Sequence, residues 1–170
     1  MTRSVMKFFR ECSICQQNKS LTPPPRGLLQ PLPIPELIWE EVSMDFISRF
    51  LKSQGYKVIL VEVDRLSKYA IFFPLKHPFT APDVATLFMK EVFHPHGVPS
   101  AIVSDCDPLF TSVFWKELFR SHITKLKMSS SYHPQSDMQT EVVNHGIKTY
   151  LRCFSSSKPT ECAWWLPWAQ

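Results

Sequence analysis

The stretch Ala101–Thr111, AIVSDCDPLFT, combines a short apolar run with acidic residues that follow it directly. Its first three residues are apolar and largely β-branched, as in a buried strand. Ser104 and Asp105 come next, so the carboxylate of Asp105 is expected where the strand stops. The sequence therefore predicts an acidic group at the carboxyl end of a sheet strand.

Two other acidic residues gain meaning from their relation to Asp105. Asp45 interrupts a hydrophobic run, VSMDFI, at residues 42–47, and Glu141 lies in the segment QTEVVN at residues 139–144. Thirty-five residues lie between Asp105 and Glu141. Carboxylates are the oxygen ligands that Mg²⁺ prefers, and two such ions about 4 Å apart supply what phosphodiester transfer requires. The spacing resembles that of the D,D-35-E phosphoryl-transfer enzymes, and this resemblance implies a metal-dependent site for phosphoryl transfer.

The chain from about residue 37 to residue 76 has the pattern of consecutive β-strands. Segments rich in Val, Ile and Phe alternate there with turn signals, which is typical of antiparallel strands. The predicted strands are Trp39–Phe50, Lys57–Asp64 and Tyr69–Leu75. A second acidic residue at a strand end, Asp64, is predicted to be structural, and Asp107 is predicted to form a turn with Pro108.

Helical patterns follow and alternate with two short strands. Thr80 is predicted as the N-cap of a helix with Asp83 at its third position, and the segment HGVP at residues 96–99 is predicted to end it. The remaining predicted elements are the strand before Asp105, a helix from about Ser112 to Ser121, a strand at Thr124–Met128 and a helix through Glu141 to about Phe154. One apolar stripe is predicted to be core rather than a surface for stacking bases: Phe114, Trp115, Leu118 and Phe119.

The predicted order of elements is βββαβαβα, a meander followed by parallel strands. Such an order predicts an α/β fold of the ribonuclease-H-like type, with a five-stranded mixed sheet flanked by helices. The composition agrees, because 170 residues with 44% hydrophobic and 20% charged residues suffice for one domain with a core.

Charge and cysteine content constrain the partners and the compartment. A net charge of +4 and a pI near 8.8 permit an anionic partner without requiring one. The chain has five cysteines, an odd number, and their spacing is not that of a disulfide-rich scaffold. No signal peptide is apparent either. Both observations favour a reducing compartment. No apolar run approaches the roughly 20 residues of a membrane helix, so no membrane association is predicted.

The N-terminal region carries a CxxC motif and then a proline-rich segment. Cys12 and Cys15 form the motif, and no histidine occurs in residues 1–11. A structural zinc site needs four ligands, so the sequence does not predict a completed one. Residues 21–36, LTPPPRGLLQPLPIPE, contain six of the fifteen prolines, and proline favours extended structure. This segment is predicted to be a linker.

These motifs together resemble the integrase of gypsy-class LTR retrotransposons, a retroviral-integrase-like family. The resemblance rests on the segments SMDF (43–46), SDCDPLFTSVFW (104–115) and YHPQSDMQTEVVN (132–144), together with the D,D-35-E spacing of the three acids. It implies a catalytic core at residues 37–154 and a remnant of a His-His-Cys-Cys zinc domain at residues 1–20. Residues 155–170 would then be a truncated C-terminal extension.

The resemblance also implies roles for individual residues. Asp45 would bridge two Mg²⁺ or Mn²⁺ ions, Asp105 would bind one of them, and Glu141 would bind the other. Cys12 and Cys15 would be the surviving half of the zinc-ligand set. Residues of the family's active-site loop and of the helix face beside Glu141 are the candidates for DNA contact: Tyr132, His133, Gln135, His145 and Lys148.

The implied reaction is metal-dependent trimming of 3′ ends, followed by transfer of those ends into host DNA. The implied partners are DNA and further copies of the chain, as a homodimer or a higher multimer, in the nucleus. Departures from the family pattern at Cys106, Met138 and Gly146 favour a truncated or degenerate copy. Two alternatives stay open: an inactive DNA-binding or dimerising remnant of a mobile element, and another ribonuclease-H-like nuclease or transposase.

Overall fold

The computed structural model of the chain describes residues 3–18, 33–48, 53–128, 138–155 and 159–169, and of residues 138–141 and 159 it describes the backbone alone. The predicted linker, residues 21–36, therefore lies outside the described residues except for its last four. The predicted loop residues Tyr132, His133 and Gln135 also lie outside them. Among the described residues, no helix has both the length and the apolar character needed to cross a bilayer.

A five-stranded mixed sheet forms the centre of the molecule. Its strands are β1 (Glu41–Ile47), β2 (Tyr56–Asp64), β3 (Ala70–Lys76), β4 (Ala101–Ser104) and β5 (Lys125–Met128). Their order across the sheet is β3-β2-β1-β4-β5. The first three strands pair antiparallel, whereas β1 with β4 and β4 with β5 pair parallel. The predicted fold class, a ribonuclease-H-like α/β sheet with a leading meander, is confirmed.

Helices surround the sheet and connect its parallel strands. They are α1 (Arg3–Glu11), α2 (Ser13–Gln17), α3 (Ala81–Phe88), α4 (His94–His96), α5 (Val113–Ser121), α6 (Met138–Ser155) and α7 (Cys162–Trp165). A π-helical turn, Met89–Phe93, joins α3 to α4, and 3₁₀ turns at Pro159–Glu161 and Leu166–Trp168 flank α7.

Two apolar cores lie on opposite faces of the sheet, because side chains alternate along each strand. The first core lies under α3 and α5 and includes Val42, Met44 and Leu60 from the sheet. The second core lies under α6 and the C-terminal turns and includes Ile47, Val61 and Val63 from the sheet. From the helices, the second core takes Ile147, Leu151 and Leu166. Helix α6 is therefore fixed against the face opposite to α3 and α5.

Local signals define the start and end of α3 as the sequence predicts. The carboxylate of Asp83 accepts hydrogen bonds from the backbone N–H and the hydroxyl of Thr80, at 2.8 and 2.7 Å. The helical stretch that begins with α3 ends at Gly97, which has φ of 88° and so adopts a conformation that favours glycine. Because the cap and the stop are both local chemistry, they were readable without tertiary information.

The apolar stripe of α5 differs from its prediction at one position. Trp115 and Phe119 are buried in the first core and Leu118 packs against it, but Phe114 is 41% exposed. Phe114 comes one residue before the buried Trp115, so it points about a quarter-turn away from the core. The prediction of a four-residue core stripe is therefore wrong for Phe114.

The two ends of the chain carry helical segments that the sequence analysis did not resolve. Helices α1 and α2 bury none of their residues. At the other end, Leu166 is buried in the second core and Trp165 packs against that core, whereas Trp164 and Trp168 are exposed. The predicted boundaries of an N-terminal zinc remnant and a truncated C-terminal extension stay predictions.

Candidate active site

Parallel pairing of β1 with β4 brings two predicted site residues to one level of the sheet. In the register of these strands, Met44 lies opposite Ser104. The next residues along the two chains are Asp45 and Asp105, so both carboxylates project from neighbouring parallel strands near the same edge. Asp105 follows directly after the last residue of β4, as the sequence predicts.

Asp45 is half-buried and both of its carboxylate oxygens accept hydrogen bonds. Oδ1 accepts the backbone N–H of Phe46 at 2.7 Å, and Oδ2 accepts the side-chain amide of Asn144. Burial raises the pKa of Asp45, and the negative charge of Asp105 raises it further, while the two hydrogen bonds and the positive charge of Lys148 lower it. The repulsion between the two acids is the electrostatic sign that they share one site.

Asp105 is also half-buried, and its surroundings contain a further negative charge. Its Oδ1 accepts the backbone N–H of Asp107 at 3.1 Å. Burial is the main cause that raises the pKa of Asp105, and the charge of Asp107 adds to it, whereas the hydrogen bond lowers it. An excess of negative charge therefore builds up at the end of β4.

The two acids that the sequence analysis set aside have structural roles. Asp107 accepts the backbone N–H of Leu109 at 2.9 Å, which closes the turn after β4. Asp64 is buried at the end of β2 and accepts the backbone N–H groups of Trp39 and Ser67, at 2.9 and 2.8 Å. Both therefore use their oxygens to hold backbone together, as predicted.

Helix α6 reaches Asp45 through one face. Asn144 donates to Asp45, and Lys148 acts on Asp45 through its charge. Glu141 lies in the same helix, three residues before Asn144 and seven before Lys148, and residues at such spacings share a face. The described backbone of Glu141 is therefore on the face that meets Asp45, while its side chain lies outside the described residues.

Asn144 is a site residue that the sequence analysis missed. It is 6% exposed, and its Oδ1 accepts no hydrogen bond from any residue that the structure describes. The signal was its position three residues after Glu141, where a helix places a side chain on the same face. Without the partner strand in view, an asparagine at that position looks like an ordinary polar helix residue.

For the remaining predicted site residues, the structure gives the secondary-structure element and the exposure of each. His145 is half-buried and Lys148 exposed, both on α6. Cys12 immediately precedes α2, Cys15 lies in it, and both are free thiols. Among the side chains that the structure describes, no three His, Cys, Asp or Glu residues form a group that could hold a metal ion. The predicted metal set thus stays a prediction.

Comparison with known proteins adds relatives of this geometry. No family model matches the sequence. The chain is 40% identical over 157 residues to the Transposon Tf2-3 and Tf2-4 polyproteins of Schizosaccharomyces pombe (strain 972), a match that spans 92% of this chain and 12% of each polyprotein. The chain is therefore similar to one short segment of these much longer relatives.

Two solved structures share the fold. One is a chain of the simian T-cell lymphotropic virus intasome in complex with PP2A regulatory subunit B56 gamma, with a TM-score of 0.63 and 21% identity, over 94% of this chain and 55% of that one. The other is the HTLV-2 integrase catalytic core domain in complex with magnesium, in a trimeric form, with a TM-score of 0.61 and 21% identity, over 79% and 84%. The chain is a homologue of the Tf2 transposon polyproteins and has the integrase-core fold. The gypsy-class resemblance is consistent with both findings.

Within an integrase-core fold, the end of β1 and β4 is where this chain gathers acceptor oxygens. Two repelling carboxylates lie beside the Oδ1 of Asn144, which has no hydrogen-bond partner among the described residues, and Lys148 is a nearby positive charge. A divalent cation that takes oxygen ligands would neutralise this surplus. The residues present therefore fit a Mg²⁺ or Mn²⁺ ion.

Proposed function

We propose that this chain is the catalytic core of an LTR-retrotransposon integrase and acts in DNA integration by metal-dependent phosphoryl transfer. The observation that carries the proposal is the placement of Asp45 and Asp105 at one level of two parallel strands, with α6 bonded to Asp45 through Asn144. Glu141 would complete the set from the same face of α6. The homology to transposon polyproteins and the integrase-core fold support this assignment.

Asp45, Asp105 and Glu141 would be the residues that hold the divalent ions, Mg²⁺ or Mn²⁺. When bound, such ions lower the pKa of the attacking water or hydroxyl and stabilise charge on the phosphate oxygens. The HTLV-2 catalytic core was solved in complex with magnesium, which supports a divalent ion here. Zinc is not proposed at Cys12 and Cys15, because a structural zinc site needs four ligands and this motif supplies two.

The chain's own residues would orient the carboxylates and the substrate. Asn144 and the N–H of Phe46 hold the plane of the Asp45 carboxylate, and the N–H of Asp107 holds one oxygen of Asp105. Fixed acceptors need no reorganisation when charge develops during the reaction. Lys148, which is exposed and close enough to Asp45 to affect it, would contact a DNA phosphate at the edge of the site.

DNA contact and assembly extend the proposal beyond the acids. His145 and Lys148 on α6, together with Tyr132, His133 and Gln135 of the preceding segment, would line the path of the DNA. Two related structures come from an intasome and a trimeric core, which supports a multimer for this chain as well. Integration into host DNA would place the protein in the nucleus.

A branched DNA that mimics the product of strand transfer tests the proposed reaction. Its resolution by reversal of strand transfer needs one active site, so it suits the isolated chain. We expect slow, Mn²⁺-dependent release of the branch strand together with rejoining of the target strand, measured by gel electrophoresis. Asp45→Asn, Asp105→Asn and Glu141→Gln should each lower the rate by at least about 100-fold, because each removes a charge that the transition state requires.

Asp107→Asn is the matched control for these variants. It also removes one negative charge beside Asp105, but its amide oxygen can still accept the N–H of Leu109, so activity should stay within a few-fold of the parent. Activity that survives Glu141→Gln would exclude the proposed site and indicate a different nuclease. A folded parent chain that binds DNA without resolving the branch would favour an inactive remnant.

A further inference from the structure

The ladder between β1 and β4 ends just before the two candidate metal-binding acids. Its last paired residues are Met44 and Ser104, and Asp105 follows directly after β4. Strand β1 continues to Ile47 and pairs there with β2. The parallel pairing that brings Asp45 and Asp105 to one level therefore stops one residue short of both carboxylates.

Beyond this point, a pair of stacked phenylalanine rings joins β1 to the turn after β4. The rings of Phe46 and Phe110 have centroids 4.9 Å apart and an angle of 13° between their planes. Phe110 is fully buried, and its ring also meets the buried ring of Trp115 edge-on, at 5.9 Å between centroids. Aromatic rings in such arrangements attract each other beyond the effect of burying their area. The stack thus links two parts of the chain that the β1–β4 ladder no longer holds.

Hydrogen bonds inside the turn connect Phe110 to the carboxylate of Asp105. The N–H of Asp107 donates to Oδ1 of Asp105 at 3.1 Å, and the N–H of Leu109 donates to Oδ1 of Asp107 at 2.9 Å. The N–H of Thr111 donates to the carbonyl oxygen of Asp107 at 3.1 Å. Phe110 lies between Leu109 and Thr111, so its ring anchors a segment that hydrogen bonds close on both sides.

On β1, the stack lies on the opposite face of the sheet from the Asp45 side chain. The backbone N–H of Phe46 donates to Oδ1 of Asp45 at 2.7 Å, so the residue that carries the ring also holds the carboxylate. Side chains alternate along a strand, and the Phe46 ring packs against the first core, as Met44 does. Asp45 meets Asn144 of α6 on the other face. Any effect of the two rings on the acids therefore acts through position.

We propose that Phe46 and Phe110 are positioning residues, whose stacked rings set the separation and orientation of Asp45 and Asp105. The inference rests on the proposed function, because it takes these two acids to be ligands of a divalent ion. Mg²⁺ accepts only a narrow range of oxygen distances and angles. Two carboxylates from separate strands meet this demand when the ends of those strands keep a fixed relation, and the stack supplies it where the ladder stops.

Hydrogen exchange of the metal-free chain tests the positioning itself. Phe46→Leu and Phe110→Leu each keep an apolar side chain but remove the stack. We expect the amide protons of Asp107 and Thr111 to exchange about 3- to 10-fold faster in both variants, relative to the amides of β2, because the turn loses its anchor.

Phe119→Leu is the matched control for both variants. Phe119 is 4% exposed and belongs to the same core, and its ring stacks on Trp115 with centroids 4.9 Å apart and an angle of 25°. This substitution also removes a buried aromatic stack, but one that lies on α5 and outside the turn. It should lower the melting temperature to a similar degree and leave the exchange of the Asp107 and Thr111 amides unchanged.

Manganese affinity tests whether this positioning serves the candidate site. Free Mn²⁺ is measured by its EPR signal at a temperature where every variant is folded. Phe46→Leu and Phe110→Leu should each raise Kd about 10-fold, as is typical for residues that orient metal ligands. The double variant should bind no more weakly than either single one, because each substitution already removes the same stack. Phe119→Leu, and Phe46→Tyr, which keeps the ring, should bind as the parent does.

Three results would overturn the proposal. In the first, Phe110→Leu leaves the amides of Asp107 and Thr111 as protected as in the parent. In the second, Mn²⁺ binding depends on Asp105, but Phe110→Leu weakens it no more than the control does. In the third, Phe46→Tyr loses as much affinity as Phe46→Leu.

Failure of the proposed function gives a different result. Asp105→Asn then binds Mn²⁺ as tightly as the parent chain, so the ion lies elsewhere. The exchange measurement, made without metal, still decides the role of the rings: faster exchange confined to the Phe46 and Phe110 variants supports it, and unchanged exchange overturns it.

Discussion

At the scale of single residues, Asn144 influences the orientation and the ionisation of the Asp45 carboxylate. Its amide donates to a half-buried carboxylate oxygen and so lowers the pKa of Asp45, against the effects of burial and of Asp105. A carboxylate must be ionised to hold a metal ion. Asn144 therefore acts as a positioning residue that orients the Asp45 carboxylate and favours its charged form.

Asn144→Ala should raise the pKa of Asp45 and shift the pH profile of activity to higher pH. It should also destabilise the fold by about 1–3 kcal/mol, since a buried acceptor loses its donor. Thermal melts and the branched-DNA assay at several pH values measure the two effects. Val142→Ala, at a 64% exposed position of the same helix, is the control. A pH profile identical to that of the parent would contradict a role for Asn144 in Asp45 ionisation.

Glu62 is a second residue with an unusual environment, and it pairs with Met44, next to Asp45, but its side chain lies on the opposite face of the sheet from Asp45. It is fully buried on β2, and neither carboxylate oxygen has a hydrogen-bond partner among the described residues. Two residues after Leu60 along the strand, it points into the first core, towards Glu91 of the π-helical turn. Burial, together with the charge of Glu91, raises the pKa of Glu62 to about 8.

This acid should make the fold less stable as pH rises. The unfolded chain ionises Glu62 near its ordinary value of 4.5, whereas the folded chain keeps it neutral until about 8. The contribution of Glu62 to the free energy of unfolding is therefore unchanged below about pH 4.5 and falls by roughly 3–5 kcal/mol as the pH rises to about 8. Glu62→Gln should flatten this decline in urea-unfolding free energies measured from pH 5 to 8. An unchanged slope would show that another group causes it.

The sequence predicts where Asp45 and Asp105 lie along their strands, but not which side chains surround them. Asp45 and Asp105 were predicted because each interrupts or ends an apolar run, which is a local signal. Asn144 and Glu62 were not, because their partners, or lack of partners, depend on which elements pack together. The segment LVEVD gives the same strand pattern whatever Glu62 meets inside the core.

At the scale of elements, α6 has a weak point beside the site. Gly146 lies inside the helix on an exposed surface, and a Cβ placed there meets no atom within 4 Å. Glycine in a helix interior is about 1 kcal/mol less favourable than alanine, because it loses more backbone freedom on folding. The residue therefore reduces the stability of the helix that carries Glu141.

Gly146→Ala should raise the free energy of unfolding by about 0.5–1 kcal/mol and slow hydrogen exchange along α6. Gly97→Ala is the matched comparison. A Cβ at Gly97 also meets nothing, but its φ is +88°, so alanine there should destabilise by about 1–3 kcal/mol. If both variants shift the melting temperature in the same direction, then backbone conformation is not what distinguishes these glycines.

Most elements could be predicted from the sequence because their signals are local. The Thr80 cap, the Gly97 stop and the alternation of β1 to β3 each rest on neighbouring residues. The π-helical turn Met89–Phe93 could not be predicted, because its residues continue the helical spacing of α3 without a break in pattern. Helix α1 does carry a sequence signal, since Val5, Met6, Phe8 and Phe9 recur at helical spacing, but the sequence analysis did not use it. Helix α2 is only five residues long and carries no comparable signal.

At the scale of the whole molecule, each face of the sheet packs against different helices and forms its own core. The first core, with α3 and α5, secures the meander and the strand before Asp105. The second core holds α6 against β1 and β2 through Ile147 and Leu151. Asp45 meets Asn144 only because this second packing is in place. The candidate site thus depends on core contacts that lie within about two helical turns of Asn144 along α6.

The most direct test of the account is the position of manganese in crystals of the chain. The anomalous signal of Mn²⁺ locates the ion without assumptions about its ligands. We predict an ion bound by carboxylate oxygens of Asp45 and Asp105 at roughly 2.1 Å, the distance typical of Mg²⁺ sites, with the side chain of Glu141 directed at the same centre. Manganese bound elsewhere, or a Glu141 side chain on the opposite face of α6 from Asn144, would contradict the proposed active site.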